Sequence, residues 1–161
     1  MIRPLAVIAV AAFAVGAAAT PAPRASHKAV AKLADVRAEI ESGNRQNLRA
    51  YAASSRPKYE ADFPKPLVVR MRGPRPESGD RIVVFSCVTP GCTFLSADQP
   101  DEGKHIDRVG ALYKVTVVND RAAVHITLEG DSPTGDYVVK AQPSVHDGER
   151  AIPAYFTLVM H

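Results

Sequence analysis

The sequence predicts a mainly β protein: a β-sandwich of about seven strands behind a short helical N-terminal extension. Three observations lead there. From Leu67 onward, short runs of Val, Ile, Tyr, Phe and Thr alternate with Gly, Pro and Asp, giving about seven strand-length segments in under a hundred residues. That density belongs to a sandwich. Residues 26–55 are instead rich in Ala, Arg, Glu and Gln with few β-branched side chains, the composition of helices. No segment repeats, so one sandwich is expected and not an array.

In chain order, the first element is a leader, residues 1–19. One basic residue, Arg3, precedes an unbroken apolar run from Leu5 to Val15, and Ala17-Ala18-Ala19 supplies the small residues a signal peptidase reads. This is the pattern of a secretory signal peptide cleaved before Thr20. The alternative is an uncleaved anchor, but the run is shorter than the roughly 20 residues that span a bilayer. No cysteine follows the run to carry a lipid. Cleavage leaves one chain of about 140 residues, room for one domain and a small appendage. It is expected to be exported, periplasmic or extracellular, with no membrane span.

Residues 20–25 read as a spacer. Residues 26–55 read as the helical extension, with Ser26 as N-cap and Leu33, Val36 and Ile40 at helical spacing beside Val30. Gly43 would end the first helix, and a second would offer Leu48 and Tyr51. This apolar stripe is thin, and it docks either on the sandwich or on a partner. Residues 56–66 carry three prolines and several charges, the signature of a linker.

The sandwich is assigned to 67–161. Strands are expected near 67–72, 81–87, 92–95, 111–118, 122–129, 136–142 and 154–160. The strongest hairpin is 113–128, turning at Asn119-Asp120. Tyr113, Val115 and Val117 share one face with Val124, Ile126 and Leu128. Lys114, Thr116, His125 and Thr127 form the opposite, wet face.

The stretch "NDRAAVHITLEGDSPTGDYVVKAQP" followed by "AIPAYFTLVM" resembles the last three strands of bacterial Ig-like domains of secreted and cell-surface proteins. The resemblance covers the C-terminal third of the chain. It implies an Ig-like sandwich, with Tyr137 as a structural residue whose hydroxyl bonds back to the chain in a tyrosine corner. The chain departs from that pattern in having no Trp and no cysteine pair expected to join the sheets.

The two cysteines, Cys87 and Cys92, enclose "VTPG". This is not Cys-x-x-Cys, and two cysteines without a nearby histidine pair are too few for structural zinc. Exported cysteines pair. Pro90 and Gly91 suit the two central positions of a type II turn. A disulfide staple across a hairpin tip is expected.

Little else carries chemistry. Once Arg3 is removed, 19 basic residues face 17 acidic ones, which gives no nucleic-acid footprint. Arg70, Arg72, Arg75 and Arg81 cluster in sequence, but Glu77 and Asp80 interrupt them, as on an ordinary solvated surface. No Gly-x-Ser-x-Gly, His-Glu-x-x-His or P-loop motif is present, and no cofactor is implied. An EF-hand starting at Asp98 would place Pro100 and Val109 where oxygen ligands belong. His105, Asp107 and His125 are the remaining metal candidates, with His146 beyond them, and a site needs three such groups to converge. The function expected is therefore binding or structural and not enzymatic, with a protein or glycan partner of the cell envelope. The alternative is a metal-handling protein or enzyme with a site on the sandwich-end loops.

Overall fold

Alternation of apolar and polar side chains makes residues 121–130 and 135–143 strands with one buried and one half-exposed face. The same grammar recurs along the chain. The computed structural model describes residues 32–52, 58–76, 79–98, 106–109 and 112–161. These form twelve strands, and no helix occurs among the described residues. The strands are β1 (Ala34–Ser42), β2 (Asn47–Leu48), β3 (Tyr51–Ala52), β4 (Tyr59–Arg72), β5 (Ile82–Cys87) and β6 (Thr93–Asp98). They continue with β7 (Ile106–Val109), β8 (Leu112–Thr116), β9 (Arg121–Gly130), β10 (Gly135–Pro143), β11 (Glu149–Ile152) and β12 (Ala154–Met160).

They build two sheets. The first runs β11-β1-β4-β9-β6, with β3 on the N-terminal part of β4. The second runs β2-β12-β10-β5-β8-β7. Pairing is antiparallel except for β1 with β11 and β2 with β12. One apolar core joins inward residues of both sheets, among them Phe63, Phe94, Val124 and Leu128 from the first and Phe85, Val139, Phe156 and Leu158 from the second. Phe85 and Phe156 lie 6.4 Å apart between ring centroids. Phe94 meets Tyr113 edge-on at 5.4 Å, across the two sheets. Each such side chain contributes roughly 1.5–3 kcal/mol by leaving water.

Strands occupy all seven stretches expected from the pattern. The helical extension is corrected. Its described part, residues 32–52, forms β1, β2 and β3; residues 26–31 and 53–55 lie outside the described residues. In β1 the relevant period is two. Val36 and Ala38 are buried, while Arg37 and Glu39 face water and Leu33 and Ile40 stay 49% and 37% exposed. The charges answer cross-strand partners: Asp35 takes Arg150 of β11 at 2.8 Å and Glu39 takes Arg72 of β4 at 3.1 Å. Arg121 of β9 pairs with Glu41. Tertiary pairing thus overrides the helix propensity of Ala, Arg and Glu.

The stretch taken as linker is likewise strand from Tyr59 onward. Two of its prolines, Pro64 and Pro66, sit at an irregularity, where Phe63 pairs with Ile126 but Leu67 with Val124; Pro57 lies outside the described residues. Two extra residues bulge out there, which is where a strand tolerates proline. Gln46, 9% exposed, serves the bulge as a substitute backbone. Its side-chain amide donates to the carbonyls of Lys65 (2.8 Å) and Gly43 (2.9 Å), and its Oε1 accepts from the Lys65 N–H at 3.1 Å.

The expected 113–128 hairpin is also corrected. Asn119 and Asp120 do form a tight turn, with φ of 51° and 61°, and Val118 and Arg121 exchange hydrogen bonds of 2.8 and 2.9 Å. Pairing stops at that bridge. β8 then lies between β5 and β7 in the second sheet, and β9 between β4 and β6 in the first. The shared apolar face is therefore two faces meeting across the core. The supposed wet face is divided too: Lys114 and Thr116 lie outside one sheet, His125 and Thr127 outside the other.

Replacing Gln46 by Ala strands the Lys65 N–H and two carbonyls at once. We expect a loss of about 1–3 kcal/mol, read from urea midpoints. A change within error would show that water replaces the amide without cost.

Candidate functional site

At one end of the sandwich three connections converge: 73–81 between β4 and β5, 117–120 between β8 and β9, and 144–148 between β10 and β11. Two open clefts flank the first of them. One, of about 320 Å³, is lined by residues including Arg72, Arg75, Asp80, Asn119 and Asp120. The other, of about 650 Å³, is lined by Val145, His146, Asp147 and Glu149. Pro74, Arg75 and Pro76 border both. The flanking prolines fix φ on either side of Arg75, so its exposed guanidinium is presented between the two clefts.

Beneath the loop lies Arg81, 6% exposed. Its two terminal nitrogens donate to both carboxylate oxygens of Glu149 at 3.0 and 3.2 Å. They also donate to the carbonyls of Ser144 (2.7 Å) and Pro74 (2.9 Å). Glu149 additionally accepts the His146 backbone N–H at 2.9 Å. One guanidinium thus ties together the β4–β5 loop, the β10–β11 loop and the start of β11. The Arg81 hydrogen bonds hold the Glu149 carboxyl below its ordinary range, helped by the His146 amide and opposed by burial.

The four sequence-adjacent arginines take separate roles. Arg81 is the buried clamp. Arg72 and Arg75 answer Glu39 and Asp120, the latter at 3.3 Å with both side chains largely in water, a pair worth little. Arg70 is exposed on β4, opposite Glu39. Arg72, Arg75 and Arg81 all line the smaller cleft, each paired with a carboxylate.

Of the metal candidates, His105 lies outside the described residues, as do residues 99–104 of the supposed calcium loop. The backbone of Asp107 stands in β7 opposite Lys114, in the second sheet. His125 stands in β9 opposite Asp98, in the first. Among the described residues, no three His, Cys, Asp or Glu side chains gather closely enough to hold a metal ion.

The opposite end carries the cysteines and Tyr137. Cys87 and Cys92 are bonded, with Cα atoms 5.9 Å apart. Gly91 has φ of 74° and the Cys92 N–H bonds to the Thr89 carbonyl at 3.2 Å, as a type II turn requires. The turn is not a hairpin tip, however. β5 belongs to the second sheet and β6 to the first, so the disulfide staples the point where the chain crosses between sheets. The expectation that no cysteine pair joins the sheets is corrected accordingly. Tyr137 is 4% exposed. Its hydroxyl donates to the Ser132 carbonyl at 2.7 Å and accepts from the Ser132 N–H at 3.3 Å. Its ring fills the space beside Gly130, where a Cβ would lie 2.2 Å from the hydroxyl oxygen.

The 73–81 cleft had one visible signal, the Gly-Pro-Arg-Pro run that marks a loop. The partnership of Arg81 with Glu149, 68 residues apart, had none. No protein-family model, curated protein or solved structure matches this chain.

Two variants probe these ends. Glu149→Gln keeps the shape but leaves the Arg81 charge without its counter-ion. We expect a loss of about 3 kcal/mol, near the low end for a broken buried pair. Because the folded carboxyl sits below its unfolded value, its stabilisation is complete above the ordinary carboxylate range and fades as pH falls through the folded value. Melting temperature followed from pH 7 into acid should fall less steeply in Glu149→Gln than in the parent. Parallel curves would remove the clamp from the acid response. At the other end, Tyr137→Phe should cost about 1 kcal/mol, measured by denaturant midpoint beside Tyr155→Phe, whose ring is 53% exposed. Equal midpoints would make the Ser132 bonds energetically silent.

Proposed function

We propose that the chain is an exported, non-enzymatic binding or structural protein of the cell envelope or extracellular space, built as an Ig-like β-sandwich. The observation that carries export is the disulfide at the sheet crossing, a bond that persists in oxidising compartments. The leader pattern of residues 1–19 points the same way, and no helix among the described residues is long and apolar enough to cross a membrane. The Ig-like assignment draws on the two facing sheets and on the Tyr137 hydroxyl, which bonds five residues back to Ser132. Fold alone names no activity. Binding is favoured because the loop end holds Arg75 between two open clefts, where its weak pair with Asp120 exchanges readily for a ligand or partner.

One observation supports a second reading. His146, Asp147 and Glu149 border the larger cleft beside Arg75 without converging on one point, and these groups support the alternative of a metal-handling protein or enzyme using the sandwich-end loops.

Fractionating the cells that make the protein tests the first reading. The expected product starts at Thr20, lies outside the cytoplasm, and binds no thiol reagent until reduced. An intact Met1 with two free thiols in the cytoplasm would sink export. Metal co-purifying in stoichiometric amount, and lost on His146→Ala, would favour the second reading.

A further inference from the structure

The smaller cleft at the loop end has walls that the fold holds in place. Asn119 and Asp120 are fixed in the left-handed region by their turn. The Met71 N–H donates to the Asp120 carbonyl at 2.7 Å, and the Val117 N–H to the Arg81 carbonyl at 2.8 Å. On the other side Pro74 and Pro76 restrict the connection that carries Arg75. Side chains on such a frame need little ordering when a ligand arrives.

Arg81 lines this cleft and not the larger one, although its side chain is only 6% exposed. A guanidinium has five N–H donors. Four of them are placed: two on the Glu149 carboxylate, one on the Ser144 carbonyl and one on the Pro74 carbonyl. The fifth, on Nε, has no acceptor among the described residues. A buried donor without a partner is rare in a native fold. It asks for an oxygen that these residues do not supply.

We infer that this cleft binds a neutral, hydroxyl-rich ligand, a sugar unit, one of whose oxygens accepts the Arg81 Nε–H. The inference rests on the reading of the loop end as a binding site, and three arguments select the ligand. The cleft holds about 320 Å³, at the lower end of small-ligand sites. Its remaining polar lining mixes signs: Arg72 and Arg75 oppose a cation, while Asp80 and Asp120 oppose an anion. Glu77, in the same connection but outside the described residues, carries the sign that disfavours an anion further. Finally, each sugar hydroxyl both donates and accepts. Neighbouring hydroxyls match the paired oxygens of a carboxylate and the paired N–H groups of a guanidinium. The Asn119 amide offers both kinds of group, and the Arg72 and Arg75 pairs are exposed enough to open for a ligand.

Proton–nitrogen NMR of the whole exported chain, nitrogen-labelled, reads the Arg81 Nε–H directly. The probes are the methyl glycosides of glucose, galactose, mannose and N-acetylglucosamine, with glucuronate and sulfate as charged comparisons. The expected result is a saturable shift of the Arg81 Nε–H and Asn119 amide signals with at least one glycoside. In Asp80→Ala/Asn119→Gly the dissociation constant should rise about tenfold. Glycine keeps the positive φ of the turn, and an unchanged melting temperature confirms folding. Asp80→Ala alone, at an exposed position, serves if the turn variant loses stability. Shifts with sulfate or glucuronate and none with the glycosides overturn the inference, yet leave the loop end a binding site for anions. A glycoside shift indifferent to these variants means adventitious binding and overturns it too. So does an Nε–H signal that no probe moves, which means that water alone satisfies it. The broader binding reading is then tested apart, by whether Arg75→Ala loses the envelope proteins that the parent captures.

Discussion

Two inward apolar faces must be closed over each other, and a single chain has to supply both. Everything else in this structure follows from that constraint. The chain changes sheet repeatedly, and at two of those places, between β5 and β6 and between β8 and β9, it does so at tight turns that resemble hairpin tips. A hairpin there would leave both apolar faces on the same side of one ribbon. By parting after a single bridge at Val118 and Arg121, β8 and β9 instead set Tyr113 and Val115 opposite the layer of Val124, Ile126 and Leu128. The first crossing is held by a disulfide and the second by backbone hydrogen bonds, so neither can slide without unpacking the core.

Closing the layers creates a polar problem at the edges of the core. Backbone groups that leave the ladders need partners, and water is excluded from some of them. Two buried side chains answer this. Gln46 occupies the place of a missing strand beside the Lys65 bulge, offering a donor and an acceptor as a peptide would. Arg81 gathers the carbonyls of Pro74 and Ser144, and Glu149 balances its charge. Both solutions use a planar group with several donors or acceptors in fixed geometry. The clamp under the loops is also what gives Arg75 a rigid base from which to project.

The outer faces show a different division of labour. On the first sheet, arginines and carboxylates alternate across strands, so the surface needs nothing further. On the second, Lys140 lies between Tyr155 and Ser86, and Lys114 stands between Val84 and the β7 position of Asp107. The same backbone architecture thus carries one face of paired charges and one face with more apolar outward positions. This asymmetry is read from register and not from composition, since the chain as a whole is nearly balanced in charge.

Local sequence determined where the strongly patterned strands lie. Alternation of large β-branched and aromatic residues in 82–87, 121–130, 135–143 and 154–160 is a property of neighbours along the chain. So is the Thr-Pro-Gly-Cys turn, because Pro90 and Gly91 set φ by themselves. Tyr137 was visible as a residue of interest from the Gly-Asp-Tyr that opens β10. What β1 would become was hidden, because Ala38 is small and the charges of Asp35, Arg37, Glu39 and Glu41 favour a helix when considered alone. Only β4, β9 and β11, supplying arginines from 33 to 115 residues away, make those charges a strand surface. Which sheet each strand joined, that the disulfide sits between two sheets, and which carboxylate Arg81 found were likewise decided by tertiary structure. Those outcomes depend on long-range burial and pairing, and these act between segments that no local pattern connects.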